Sequence, residues 1–134
     1  AVVHGKPVEP AGSWTDLLYK DATKNKTFVV DRERRGVKEA RLDYELLETR
    51  EDTPAGECSL LRIRLHTGRT HQIRVQCSSR GMPLVGDGKY GARDRMGLAL
   101  WSSRLSFRHP IRKKTMAFNA LPDGKTEPWD RFSF

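Results

Sequence analysis

Between Lys38 and Thr49 the chain alternates, with Ala40, Leu42, Tyr44 and Leu46 separated by Arg41, Asp43 and Glu45. That period of two predicts a strand with one buried face. The segment "SLLRIRLH", residues 59–66, repeats the pattern: Leu61, Ile63 and Leu65 face the core, while Arg62 and Arg64 face outward. The two runs flank the polar loop "REDTPAGE" and should form an antiparallel hairpin. "KTFVVD", residues 26–31, is a further strand. The opening "AVV" reads as a strand cut off at its own start, which implies residues upstream. It leads into the Gly- and Pro-rich loop "HGKPVEPAG", and "WTDLLYKD" then reads as a short amphipathic turn.

From Thr67 or Thr70, either a candidate N-cap, a helix is expected to run to Arg80 and stop at Gly81. It places Ile73, Gln76, Cys77 and Arg80 on one side with Val75 beside them. Arg69 and Arg74 fall near its start, where a cation opposes the positive end of the helix dipole. Each therefore calls for a partner. A loop, "GMPLVGDGKYGARDRMG", follows, and then two strand-like runs, "LALWSSRLSFRHP" and "KKTMAFNALP", before a closing "PWDRF". One helix of note among about six strands predicts an α+β fold, a largely antiparallel mixed sheet with a few flanking helices.

The length of 134 residues suits one domain, residues 1–134, and 37% hydrophobic against 31% charged residues leaves a very polar surface. Lys and Arg number 25 against 17 Asp and Glu, a formal charge of +8. The isoelectric point near 9.9 favours an anionic partner such as nucleic acid, with a merely basic surface as the plain alternative. Cys58 and Cys77 read as reduced thiols rather than a disulfide framework. No apolar run approaches the roughly 20 residues of a membrane span, so a soluble, cytoplasmic protein without membrane partners is expected.

Gly86, Gly88 and Gly91 in "GDGKYG" match G-x-G-x-x-G, but Pro83 interrupts the preceding run and no amphipathic helix follows. A tight turn with glycines at positive φ is expected instead of a dinucleotide cradle. His4, His66, His71 and His109 show no zinc-ligand spacing with one another, the cysteines or the carboxylates. Cys77 paired with His71 lacks a third group for nucleophilic chemistry. Phe28, Tyr44, Phe107 and Phe118 fall at inward or alternating strand positions, which suits core packing better than a base-stacking platform.

The stretch "LHTGRTHQIRVQCSSRGMPLVGDGKYG", residues 65–91, closely resembles the signature L-x-T-G-R-x-H-Q-I-R, spacer, G-x-P-L-x-G-D-x-x-Y-G. That signature belongs to the second half of the catalytic domain of RluA-type pseudouridine synthases. "AVVHGKP", "KEARLDYELLE", "LALWSSRLSFRHP" and "PWDRF" resemble that family more loosely. The resemblance implies isomerisation of uridine to pseudouridine in ribosomal or transfer RNA, without cofactor or metal. It implies a nucleophilic aspartate held ionised by a fork-shaped guanidinium, here Arg74, with His71 three residues away on a shared helix face. Arg69 is assigned to phosphate or the RNA cleft, with a salt bridge inside the protein as the alternative. Leu84 and Val85 are assigned to the pocket lining, and Asp87 and Tyr90 to turn and packing.

The family's aspartate lies in a motif H-R-L-D-x-x-T-S-G that this sequence does not contain, and the tyrosine that stacks on the target base is absent too. "RLD" at Arg41 to Asp43 continues as "YELLE" and alternates as a strand, so Asp43 is not read as the nucleophile. The chain is thus expected to be the second half of a catalytic domain, inactive alone, with an uncovered sheet edge open to dimerisation or strand exchange. The competing expectation is a non-catalytic basic RNA-binding module, using the same arginines to grip phosphates.

Overall fold

The alternation that begins at Lys38 is the middle of a longer strand, and the rest of the sheet is arranged around it. A computed structural model describes residues 1–108, 115–119 and 128–132. In chain order the elements are β1 (Val2–His4), β2 (Ala11–Asp21), β3 (Lys26–Val30), β4 (Val37–Thr53), β5 (Gly56–Leu65), α1 (Gln72–Ser79), β6 (Arg104–Arg108) and β7 (Thr115–Asn119). Short 3-10 turns occupy Gly88–Tyr90 and Trp129–Arg131. Five strands form an antiparallel sheet in the order β1-β5-β4-β2-β3, and β6 pairs with β7 separately. The architecture is α+β, as expected, with α1 as the α-helix among the described residues.

Ala40, Leu42 and Tyr44 are buried on one face, and Leu46 packs against them in part. Leu47, in phase with Arg41, Asp43 and Glu45, faces outward, and a register shift between Leu46 and Glu48 leaves it unpaired with β5. The predicted hairpin is present but tighter, since Thr53 already pairs with Gly56. Arg62 and Arg64 face outward as expected, whereas Leu65 is 47% exposed. The reason is that β1 pairs only with residues 58–60, so the far end of β5 is itself an edge.

"WTDLLYKD" is not a turn but the last eight residues of an eleven-residue strand, β2. Its inner face carries Trp14, Asp16 and Leu18, set opposite Leu42, Ala40 and Lys38. Asp16 breaks the apolar rhythm because α1 supplies its partners. Arg80 Nη1 donates to it at 2.7 Å and Gln76 Nε2 at 2.9 Å.

The helix is shorter at its N-terminus than expected. Its N-cap is His71, in the left-handed region at φ 52°, and not a threonine. Thr67 Oγ1 and the Arg69 amide instead donate to Gln72 Oε1 (2.8 and 3.0 Å), which ties the entering loop to the first helical residue. The C-terminus ends as predicted, with Gly81 at φ 75° and the Met82 amide bonded to Cys77 O. The outer side of β1 is not an open edge. Val85 N donates to Val2 O, Val2 N to Ala99 O, and Ala99 N to Val85 O, while Val2 and Val3 are fully buried.

Candidate active site

α1 lies over the inner face of the sheet, with Val75 and Cys77 buried among Leu18, Ala40, Leu42 and Leu61. Arg74 stands at the flank of this helix, and its guanidinium is bound bidentately by Asp87. Nε donates to Oδ2 at 2.9 Å, and Nη2 donates to Oδ1 at 2.8 Å. The Asp87 side chain has no solvent exposure and that of Arg74 retains 19%. Hydrogen bonding to Asp87 pushes the guanidinium above its already high ordinary value. A guanidinium has five N–H groups and Asp87 takes two, so three remain for another acceptor.

Asp87 is held by its own backbone. Its amide donates to Leu84 O, and its carbonyl accepts from the Tyr90 and Ala92 amides. The preceding Gly86 has φ 80°, and Gly91 at φ 106° closes the turn, so the glycine motif is the expected turn. Leu84 and Val85 have no exposure and fill two core clusters. Their side chains are consumed by packing, and what they contribute is a fixed base for Asp87.

Tyr90 joins the parts. Its ring lies 5.1 Å beneath the Arg74 guanidinium carbon. Its hydroxyl accepts from the Thr27 amide (2.9 Å) and lies 2.8 Å from His71 Nδ1. Either group can donate in that contact, since the phenol oxygen keeps a second lone pair beside the one that Thr27 uses. The His71 pKa is pushed down, first by burial and then by the charges of Arg74 and Lys89, consistent with a neutral ring at pH 7. Arg69 is anchored through Nε to the backbone oxygen of Glu39 at 2.9 Å, and no ion pair of Arg69 is found among the described residues. Beside it a depression of about 190 Å³ opens, with Lys20 and Lys38 also at its wall.

Asp43 is one residue out of phase with Leu42 and Tyr44, so it faces the side of β4 away from α1. There Ser13 Oγ and His66 Nε2 bind its carboxylate at 2.5 and 2.7 Å. These bonds, Ser13 first, hold its pKa below the usual range. Cys77 is likewise unsuited to chemistry: burial pushes its thiol up to about 12, and burial raises Cys58 as well. Neither thiol of the native chain should react with Ellman's reagent at about pH 8, and both should react after unfolding. Fast labelling of either one in the native state would contradict this burial.

A family model described as RNA pseudouridylate synthase matches residues 1–79. The chain belongs to this family. As an RluA-type pseudouridine synthase chain, it is 37% identical over 131 residues to YlyB of Bacillus subtilis (strain 168), an uncharacterised RNA pseudouridine synthase. The match takes in 95% of this chain and 41% of YlyB. It is 40% identical over 88 residues to the ribosomal large subunit pseudouridine synthase D of Vibrio vulnificus (strain CMCP6), covering 53% of this chain and 27% of that protein. Among solved structures it is similar to human RNA pseudouridylate synthase domain containing 1, with TM-score 0.75 and 25% identity. That match covers 98% of this chain and 56% of the human one. The chain therefore spans about two fifths or less of the curated relatives just named.

The family signature pointed to Arg74 and His71, and the structure brings both to one place beside Asp87 and Tyr90. Sequence reading underrated those two partners. The available signal was electrostatic: a half-buried arginine near a helix N-terminus needs a carboxylate, and Asp87, set between positive-φ glycines, was within reach.

Proposed function

We propose that the chain supplies the second half of the catalytic domain of an RNA uridine isomerase that makes pseudouridine in ribosomal or transfer RNA in the cytoplasm. The observation that carries this reading is the Asp87-anchored Arg74 inside the 65–91 signature. Asp87 and the Tyr90 ring fix the guanidinium, whose remaining N–H groups hold a nucleophilic aspartate ionised and aimed. That aspartate comes from an H-R-L-D segment outside this sequence. The target uridine leaves the stack, at a cost of about a few kcal/mol. The aspartate attacks the nucleotide and the glycosidic bond breaks. The uracil then turns and its C5 is joined to the sugar as the bond to the aspartate breaks and the carboxylate is regenerated, with the C5 hydrogen released to solvent and N1 left protonated. His71 stands beside this site, its Nδ1 in contact with the Tyr90 hydroxyl.

The test uses RNA tritiated at uridine C5. This chain alone should release no tritium, whereas a chain that also carries the H-R-L-D segment should, and Arg74→Lys should sharply reduce that release. Release by the present chain alone would overturn the assignment of roles. No release by the longer chain, with RNA binding intact, would favour the non-catalytic RNA-binding module.

A further inference from the structure

On the inner face of the sheet the register pairs Trp14 with Leu42, Asp16 with Ala40 and Leu18 with Lys38, and Lys20 follows two residues beyond Leu18. The first positions are covered by α1. Leu18 is still packed under Val75, but Lys38 and Lys20 are exposed beside the loop at Gly68–Thr70, where the helix has not yet begun. Here Lys20, Lys38 and Arg69 converge on the depression of about 190 Å³, and none of its lining residues is acidic or aromatic.

A second observation points into the same space. Thr27 lines this depression and is only 2% exposed, yet its Oγ1 has no hydrogen-bond partner among the described residues. An orphaned buried hydroxyl is a cost that an external acceptor would remove. Arg69 is fixed through Nε to Glu39 O, which leaves its two terminal amino groups to fork onto oxygen.

We propose that this depression is a phosphate subsite, in which Lys20, Lys38, Arg69 and the Thr27 hydroxyl hold a backbone phosphodiester of single-stranded RNA. Three cations and a hydroxyl donor around an acid-free hollow match a phosphate, and the lack of an aromatic wall disfavours a base. The subsite rests on the RNA-modifying reading above and extends it. Thr27 also donates its amide to Tyr90 Oη, so the subsite adjoins the group that packs under Arg74. A phosphate seated there would set the register of the strand relative to the flipped nucleotide.

The test is fluorescence anisotropy of a labelled oligouridylate with the whole chain, in salt from about 50 to about 200 mM. Lys20 and Lys38 are exposed, so Lys20→Gln/Lys38→Gln should fold normally, checked by its melting curve. It should bind about tenfold more weakly, and the slope of log affinity against log salt should fall by roughly 0.7, because one phosphate of the strand is then no longer neutralised. Thr27→Val should weaken binding without shallowing the slope, while Lys6→Gln, in the exposed β1–β2 loop, should change neither. Wild-type affinity and slope in the double lysine variant would overturn the subsite and leave the RNA reading standing. Inorganic phosphate supplies the other arm, read by amide NMR at Gly36, Gly68 and Thr70. Phosphate shifts at those amides without RNA binding by the wild type would remove RNA as the source of the phosphate, and this assignment with it.

Discussion

Arg74→Met is expected to lower the unfolding free energy by about 3–5 kcal/mol, because it leaves the Asp87 carboxylate buried without a cation. Asp87 has no solvent exposure, and both bonds found for its carboxylate oxygens come from Arg74. Asp87→Asn should cost less. Its Arg74 partner keeps 19% side-chain exposure and can be partly solvated, and the amide oxygen can still accept one N–H. Arg74→Lys should fall between them, since an ammonium keeps the charge but loses the two-pronged fit. Arg74→Met/Asp87→Leu should recover much of the loss, as replacing both members of a buried pair by apolar groups often does. Urea melts of the four variants measure the series. An Arg74→Met melt within about 0.5 kcal/mol of wild type would mean that Asp87 finds another partner and that the pair does not hold this site together.

The same pair shows where sequence reading succeeds and where it stops. The hairpin was legible because its information is local: Ala40, Leu42, Tyr44 and Leu46 alternate without interruption, and Leu61 and Ile63 answer them in register. β2 was not legible, because its inner face includes Asp16 and ends in Lys20. Asp16 is tolerated through Gln76 and Arg80, some 60 residues away in sequence. Lys20 is tolerated because the helix stops short of it. The helix start was missed for a related reason. Thr67 has a hydroxyl suited to capping, but it is engaged with Gln72 Oε1, and His71 turns left-handed to bring Nδ1 to Tyr90. Such a turn costs roughly 1–3 kcal/mol for a non-glycine residue and persists only where its surroundings hold it. The motif therefore revealed which residues matter, whereas tertiary contacts decide what each one touches.

Gly86→Ala is expected to destabilise the chain by about 3 kcal/mol or more, for two separate reasons. Gly86 lies at φ 80°, where an L-residue is strained, and an added Cβ would stand 2.1 Å from Gly97 O and 2.3 Å from its carbonyl carbon. Neither strand of backbone can yield cheaply. On one side the Val85 amide is bonded to Val2 O and the Gly86 amide to Asp94, and on the other the Ala99 amide is bonded to Val85 O. Displacing Gly86 moves Asp87, the next residue, and so strips Arg74 of its partner. The loss of stability should therefore come with loss of the Tyr90 and His71 contacts, visible as shifted amide signals at Thr27 and Arg74. Gly88→Ala is the control two residues on: its Cβ would meet nothing within 4 Å and its φ is not positive, so it should change stability by under about 0.5 kcal/mol. If Gly86→Ala melted with the wild type, the close approach of residues 86 and 97 would not be a constraint, and the anchoring of Asp87 by that segment would have to be abandoned.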